Sequence, residues 1–335
     1  MEYAIGVDIG GTKIAVNLAH IAGQTIRIVK REQFATPKEQ GYQLALDRIL
    51  EMMKNLLEEA DLSTAEIRGI GISCGGPLDG KRGLILSPPN LAGWDSVPIV
   101  SYFQEKTGIP ATLYNDADAC AYAEWKYGAG RGTVNMVFLT FGTGFGAGLI
   151  LGGRLYTGSG NMAGEIGHCR SSLDHCVPRV SSVGYGKINA YEGFCSGGGI
   201  ARLGRTMVIE RMQRGETISF CQSPDALDSL SALSISEAAH AGDPLAREIY
   251  RISGCHLGSA LALLVDLLNP EMIVIGSVFM RSGDLLRDAA LEVLQKESLP
   301  QNLRDVKIVP AQLGEELGDI ASAAIALGEI SALEI

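Results

Sequence analysis

The order of apolar and polar positions in residues 1–60 predicts two strands followed by a helix. Segments 3–8 and 14–18 are mostly apolar, and we expect them to form strands on either side of a glycine turn. Thr36 and Pro37 predict the start of a helix, because threonine can cap it and proline fits the first helical position. Apolar residues then recur at helical spacing: Leu46, Ile49, Leu50, Met53, Leu56 and Leu57.

The remainder of the chain continues this alternation of strand and helix. Glycine, serine and isolated polar residues dominate positions 160–200, so we expect a region rich in loops there. From Ser234 onward the pattern is helical, with one strand inside it. Outside the loop-rich region we expect strands at 67–73, 111–114, 134–140 and 272–276, and helices at 117–127 and 317–327. This order is typical of an α/β protein.

Two segments repeat the same local pattern. An apolar run precedes Gly10, Gly11 and Thr12, and a second apolar run precedes Gly142, Thr143 and Gly144. Each glycine turn is followed by another apolar stretch, as expected for strand, turn and strand. The repeat predicts a duplicated α/β domain with a cleft between the copies. Coincidence is the alternative, because glycine-rich hairpins are common.

Length and composition fit two globular domains and exclude several classes of partner. The chain has 335 residues, of which 46% are hydrophobic and 20% charged. The net charge is −10 without a basic cluster, which argues against a nucleic-acid partner. Apolar runs such as 259–268 are too short for a membrane span, and residues 1–7 lack the features of a signal peptide. We therefore expect a cytoplasmic protein with no membrane segment and with its seven cysteines reduced.

The two glycine-rich turns suit the binding of a triphosphate. Backbone N–H groups approach phosphate most closely where no Cβ atom intervenes. Neither segment 10–13 nor segment 142–148 is a Walker loop, since Gly-Lys-Ser/Thr does not follow at the required spacing. In the second segment glycine occupies alternate positions, which lie on one face of a strand, whereas a dinucleotide motif opens a helix. A Rossmann dehydrogenase is therefore a poor fit.

Three sets of polar residues are candidates for chemistry. Asp8 ends the first strand, where it either shapes the turn or holds magnesium through water, and the nearby Lys13 favours the metal role. Asp116 begins a helix, where it is either a helix cap or a general base that accepts a proton from a sugar hydroxyl. The third set is either ligands of a polyol or ordinary loop charges: Glu165, His168 and Glu192.

In this order the motifs resemble the ROK family, which comprises bacterial repressors, open reading frames of unassigned function and sugar kinases. The matching segments span essentially the whole chain: 8–13, 87–94, 115–119, 142–148 and 164–168. The resemblance implies a duplicated actin-like (ribonuclease H-like) ATPase fold, α/β in class, with two lobes and a central cleft. Residues 1–115, completed by 317–335, would form the smaller lobe, and residues 116–316 the larger one.

The resemblance also implies a role for each matching residue. Asp116 would be the catalytic base, and Asp8 would hold magnesium through water. The residues expected to contact the sugar are Gly76, Asn90, Asn115, Glu165, His168 and Glu192. Those expected to bind the nucleotide and its phosphates are Gly10, Gly11, Thr12, Lys13, Thr143, Gly144 and Gly276.

The chain departs from the family pattern in two places. Many members bind a structural zinc through the histidine equivalent to His168 and three cysteines, whose positions here hold Val183, Tyr185 and Ala190. We therefore expect no structural zinc. The alternative is an atypical site among His168, Cys169, His175 and Cys176. At the expected adenine loop, Gly276 is followed by Ser277, Val278 and Phe279 in place of a glycine run, which puts nucleotide affinity or base preference in question.

The sequence thus predicts a sugar kinase that uses ATP and magnesium. The expected reaction moves the γ-phosphate of ATP to a hexose or amino-hexose, at the 6-hydroxyl, and the resemblance implies a homodimer. One alternative is a sugar-sensing transcriptional regulator of the same family, and another is a catalytically weak sugar-binding protein. Regulators carry a DNA-binding segment ahead of the first phosphate loop, which here begins at Asp8, so the enzyme is favoured.

Overall fold

The computed structural model describes residues 2–37, 40–173 and 186–327. The strands of this part of the chain are β1 (Glu2–Ile9), β2 (Lys13–Ala22), β3 (Thr25–Ala35), β4 (Ile67–Cys74), β5 (Leu78–Asp79), β6 (Leu84–Ile85), β7 (Ala111–Asn115), β8 (Met136–Phe141), β9 (Phe145–Leu151), β10 (Arg154–Tyr156), β11 (Met272–Ile275) and β12 (Lys307–Pro310). Its α-helices are α1 (Gly41–Glu59), α2 (Ile99–Thr107), α3 (Asp116–Tyr127), α4 (Gly197–Gln213), α5 (Ala232–His240), α6 (Pro244–Leu268), α7 (Val278–Glu297) and α8 (Leu317–Ala324).

Two five-stranded sheets share one strand order. The first runs β3-β2-β1-β4-β7 and the second runs β10-β9-β8-β11-β12. In the first sheet β2 pairs antiparallel with both β1 and β3, while β4 and β7 pair in parallel. In the second sheet β9 and β10 are antiparallel, and β11 and β12 are parallel. The repeated order shows that the two glycine hairpins belong to duplicated topologies, so coincidence no longer explains them.

Glycines in the first sheet allow helix α8 to lie directly on the strands. A Cβ atom at Gly71 of β4 would lie 1.9 Å from the Ser322 carbonyl oxygen, and one at Gly6 of β1 would lie 2.4 Å from Ser322 Oγ. Asn17 of β2 donates hydrogen bonds from Nδ2 to the Asp319 carbonyl and to Ser322 Oγ, each at 3.2 Å. Because glycine alone leaves this space, α8 is held at backbone contact distance from strands near the other end of the chain.

The predicted start of the first helix is wrong. Helix α1 begins at Gly41, and Thr36 does not cap it. Instead the Thr36 N–H donates to the Thr12 carbonyl at 3.0 Å, and Thr36 Oγ1 donates to the Gly10 carbonyl at 2.6 Å. The residue that resembles a helix cap in sequence therefore fastens the first glycine turn.

The chain divides into two compact units, each discontinuous in sequence. One comprises Met1–Phe138, Gly148–Gly164 and Ala311–Ile335, and the other comprises Leu139–Ala147 and Glu165–Pro310. This division reflects compactness and does not test the lobes predicted from the sequence, residues 1–115 with 317–335 and residues 116–316. Those lobes stay a prediction.

Helix α6 is longer and more apolar than the sequence pattern suggested. By length and composition it could cross a membrane, but 67% of its most apolar stretch is buried inside the protein. It packs closely on α7, because Cβ atoms at Gly254 and Gly258 would lie 2.6 Å and 2.3 Å from the carbonyl oxygens of Leu286 and Ala290. These contacts identify α6 as a core helix.

Candidate active site

The first group of predicted site residues surrounds the turn between β1 and β2. The Gly10 N–H donates to the Lys13 carbonyl at 3.0 Å and closes the turn. A Cβ atom at Gly11 would lie 2.6 Å from Asn90 Cβ and 2.9 Å from the Asn90 carbonyl oxygen. The turn predicted to bind phosphate therefore touches the loop predicted to bind the sugar.

Asn90 is exposed in a loop that its own backbone closes. The Ser87 N–H donates to the Trp94 carbonyl at 2.9 Å, and the Trp94 indole is buried beneath the loop. The turn after β4 comes near the same side chain, since a Cβ atom at Gly75 would lie 3.9 Å from Asn90 Nδ2. Gly76 is the next residue of that turn. Gly76, Asn90 and Gly11 are thus carried by three adjacent segments.

Asp8 lies at the carboxyl end of β1, opposite Ser73 of β4. The pKa of its carboxyl group is raised to about 6, first by burial and then by the negative charges of Asp116 and Asp319, while Lys13 acts in the opposite direction. Asp319 is paired with Arg31 at 2.7 Å, so Asp8 and Asp116 are the two carboxylates whose negative charge a cation beside Lys13 would relieve. Magnesium suits this site, because it prefers oxygen donors and needs only one or two carboxylates beside water and phosphate.

Asn115 and Asp116 both lie at the start of α3, and the cap of this helix is Asn115. Asn115, the last residue of β7, caps α3, and its Oδ1 accepts a hydrogen bond from the Ala117 N–H at 2.9 Å. Asp116 is the first residue of the helix, and its Oδ1 accepts from the same N–H at 2.9 Å. Although the side chain has a solvent-accessible face, desolvation by the surrounding protein raises the pKa of the Asp116 carboxyl group. Since Asn115 provides the cap, Asp116 is available to accept a proton.

The second group of predicted residues surrounds the turn between β8 and β9. The Gly142 N–H donates to the Gly144 carbonyl at 3.1 Å, which leaves Thr143 exposed at the tip. A Cβ atom at Gly144 would lie 3.0 Å from Glu192 Oε2, and one at Gly167 would lie 3.4 Å from Glu192 Cβ. The turn between β8 and β9 and both predicted sugar-binding segments of this unit therefore meet at Glu192.

Glu165 directly precedes a single 3-10 turn, Ile166–His168, whose last residue is His168. Glu165 Oε2 lies 3.6 Å from His168 Nε2, so the two form an ion pair whenever the imidazole is protonated. Lys187 Nζ donates to the His168 carbonyl at 2.5 Å. The side chains of Glu165 and His168 are partly exposed, so a ligand can reach them.

Gly276 follows β11 and borders the same turn. Its N–H donates to the Leu139 carbonyl at 3.0 Å, and Ser277 Oγ would lie 3.5 Å from a Cβ atom at Gly142. The start of α4 lies there too, since the Gly197 N–H donates to the Gly142 carbonyl at 2.8 Å. Sequence reasoning missed this helix start. The signal was available as three consecutive glycines after the capping Ser196, whose Oγ accepts from the Gly199 N–H at 2.9 Å.

The expected absence of zinc is a prediction that metal analysis tests. Val183, Tyr185, His175 and Cys176 lie outside the described residues, whereas Ala190 is fully buried. Within residues 2–37, 40–173 and 186–327, no group of three or more His, Cys, Asp or Glu side chains is arranged to hold a metal. We expect purified protein to contain no stoichiometric zinc and to keep its activity after chelation followed by added magnesium. Activity that chelation removes and zinc restores would point instead to Cys169, His175 and Cys176.

Known proteins resemble this chain over its whole length. The ROK family profile matches residues 4–329. A glucokinase of Streptomyces coelicolor is 30% identical over 327 residues, which cover 97% of this chain and 98% of that protein. A xylose repressor of Caldicellulosiruptor bescii is 28% identical over 321 residues, covering 95% of this chain and 77% of the repressor. The crystal structure of a ROK family glucokinase from Streptomyces griseus in complex with glucose and AMPPNP is 29% identical, with a TM-score of 0.77 and coverage of 97% and 99%.

Proposed function

Because this chain belongs to the ROK family, we propose that it is an ATP-dependent hexokinase that transfers the γ-phosphate of ATP to the 6-hydroxyl of a hexose or N-acetylhexosamine. Its duplicated actin-like ATPase fold, predicted from the sequence, is confirmed by the structural neighbours and by the repeated strand order. Full-length similarity to a glucokinase, and to a glucokinase structure that holds glucose and an ATP analogue, supports the hexokinase activity.

The observation that carries the proposal is the pair formed by Asp116 and Asp8. Asp116 is not needed as a helix cap, and its pKa is raised, which brings a carboxylate base closer to the working pH. The negative charge of Asp116 in turn raises the pKa of Asp8, so the two carboxylates lie within electrostatic range of each other. Phosphoryl transfer needs such a pair: one group to accept the proton of the attacking hydroxyl and one to hold the metal beside the phosphates.

The two groups of residues would have complementary tasks. In the first group Asp8 would hold magnesium, which neutralises phosphate charge when bound, and Gly10–Lys13 would present backbone N–H groups and an ammonium to the phosphates. Asn90 and Asn115 would orient the sugar there. In the second group Thr143 and Gly144 would bind phosphate, and three further side chains would accept or donate hydrogen bonds to sugar hydroxyls: Glu165, His168 and Glu192.

An ADP-release assay with a panel of hexoses and N-acetylhexosamines tests the proposal. We expect ADP formation that requires magnesium and at least one sugar of the panel, with phosphate attached at the 6-position of the product. Sugar binding without ADP release would favour the alternatives, a weak sugar-binding protein or a regulator such as the repressor relative. A homodimer and a cytoplasmic location, both expected from the sequence, are part of the proposal and are measured by light scattering and by fractionation.

A further inference from the structure

The imidazole of His256 lies in the core of the second unit and contacts both predicted sugar-binding segments. It is 1% exposed, and it sits on α6. Its ring stacks on Phe194 with centroids 3.5 Å apart and planes 9° from parallel. Its Nδ1 forms a hydrogen bond with Ser171 Oγ at 2.8 Å. Phe194 follows Glu192 by two residues, and Ser171 follows His168 by three. One buried ring therefore joins the two segments.

The two segments are also joined by their backbones. The Tyr191 N–H donates to the Cys169 carbonyl at 2.9 Å, and the Ser171 N–H donates to the Asn189 carbonyl at 2.9 Å. These bonds set the pairing of the two segments. Side chains of α6 attach the pair to the core of the unit.

Helix α6 holds the segment around Glu192 at further points. Ser253 Oγ donates to the Phe194 carbonyl at 2.8 Å. Ser259 Oγ and the Tyr191 hydroxyl form a hydrogen bond at 2.9 Å. Tyr191 precedes Glu192 in the chain and Phe194 follows it, so residues on both sides of Glu192 are bonded to the same helix. His256 differs from these two serines because it alone of the three also contacts the segment that carries His168.

We propose that His256 is a positioning residue that fixes the two segments carrying His168 and Glu192 against α6 and thereby sets the affinity of the enzyme for its sugar. The inference rests on the proposed function, because sugar affinity is the property assigned. Burial lowers the pKa of His256 to about 3, so the ring is neutral at working pH and its stacking and hydrogen bond do not depend on a charge. Packing and an uncharged hydrogen bond thus connect these segments to α6.

Two variants remove the hydrogen bond of the ring while a stacked ring stays in place. His256→Phe keeps an aromatic ring against Phe194 and removes the bond to Ser171. Ser171→Ala removes the same bond and leaves the imidazole in place, and it also removes the weaker 3.4 Å bond that Ser171 Oγ accepts from the Leu173 N–H. Loss of this buried bond should raise the KM for the sugar by roughly tenfold. We expect kcat and the KM for ATP to stay within about twofold, since no proposed phosphate contact is changed. Tyr250→Phe is the matched control, because Tyr250 is also buried on α6 and donates to the Ala232 carbonyl at 2.7 Å, away from both segments.

Hydrogen exchange of the amides in residues 186–196 gives a readout that does not depend on activity. Both His256→Phe and Ser171→Ala should accelerate exchange there, and Tyr250→Phe should not. Exchange that matches wild type in both variants would overturn the inference. Faster exchange with an unchanged KM for the sugar would also overturn it, since the contact would then be structural alone. Wild-type protein that releases no ADP with any hexose would overturn the proposed function, whereas the exchange result would still decide whether His256 holds the segments.

Discussion

Replacement of Asp116 by asparagine should lower kcat by ~10²–10⁴-fold, the scale of a lost general base. Asparagine keeps the size of the side chain and the oxygen that accepts a hydrogen bond from the Ala117 N–H. Helix α3 should remain capped, because the cap is Asn115. The affinity for the sugar should change little, since the substituted group accepts a proton only as the phosphate is transferred. Steady-state kinetics, with sugar affinity measured separately by isothermal titration, check both parts.

The matched control for this variant is Asn115→Asp. It alters the neighbouring side chain at the same helix start and keeps a capping oxygen. It should leave the unfolding temperature close to wild type and should cost mainly sugar affinity. A near-normal kcat in Asp116→Asn would mean that Asp116 has no role as a base, and that the pair with Asp8 does not carry the reaction.

Replacement of Gly11 by valine should lower kcat/KM for ATP and for the sugar together. From the sequence alone one expects loss of ATP affinity with sugar binding intact, because the branched side chain would lie against the triphosphate and would strain the backbone if φ were positive. The backbone of Gly11 has no positive φ, so the second reason does not apply. Instead a Cβ atom would lie 2.6 Å from Asn90 Cβ, closer than packed atoms tolerate. Overpacking destabilises by about 1–3 kcal/mol, which corresponds to a loss of about 5–150-fold in kcat/KM. The displacement is shared between the glycine turn and the loop that carries Asn90.

Gly160→Val is the control, because a Cβ atom at Gly160 meets nothing within 4 Å and the residue has no positive φ. It should behave as wild type in kinetics with both substrates. If Gly11→Val affected ATP alone, the contact with Asn90 would not couple the two binding sites. Unaltered nucleotide binding would remove the first hairpin from the phosphate site altogether.

The sequence predicted strands best where consecutive residues of the strand are buried. Strands β1, β4 and β8 are buried along most of their length, so each is visible as an apolar run. Strand β3 was missed because most of its residues alternate between exposed and half-buried positions, and charged residues occupy many of them. Strand β12 was missed because its four residues are exposed or half-buried, so it lacks the apolar run that made the equally short β11 visible.

The candidate site was predictable as a set of residues and not as a set of contacts. The glycine turns, Asp8 and Asp116 can be recognised in the sequence by residue type and by their place at the ends of predicted strands. Gly11 contacts Asn90, and Gly144 contacts Glu192. Each contact joins segments that are far apart in sequence, and a local pattern does not indicate which distant segments lie together. His256 was invisible for a related reason. A single histidine in an apolar helix is indistinguishable in sequence from any other core residue until its stacking partner is known.

The packing of α8 on the first sheet affects the order in which the chain folds. During synthesis β1 and β4 leave the ribosome first, and the whole of the second unit follows before Ser322 appears. Until α8 has been synthesised, the sheet face at Gly6 and Gly71 is uncovered, because glycine has no side chain. Asn17 Nδ2 also lacks the two acceptors on α8 to which it donates in the folded protein. Such long-range contacts form late. Synthesis of the first unit therefore begins before that of the second and is completed after it. A nascent chain arrested before residue 317 exposes the uncovered face of the first sheet, to which chaperones or another chain can bind.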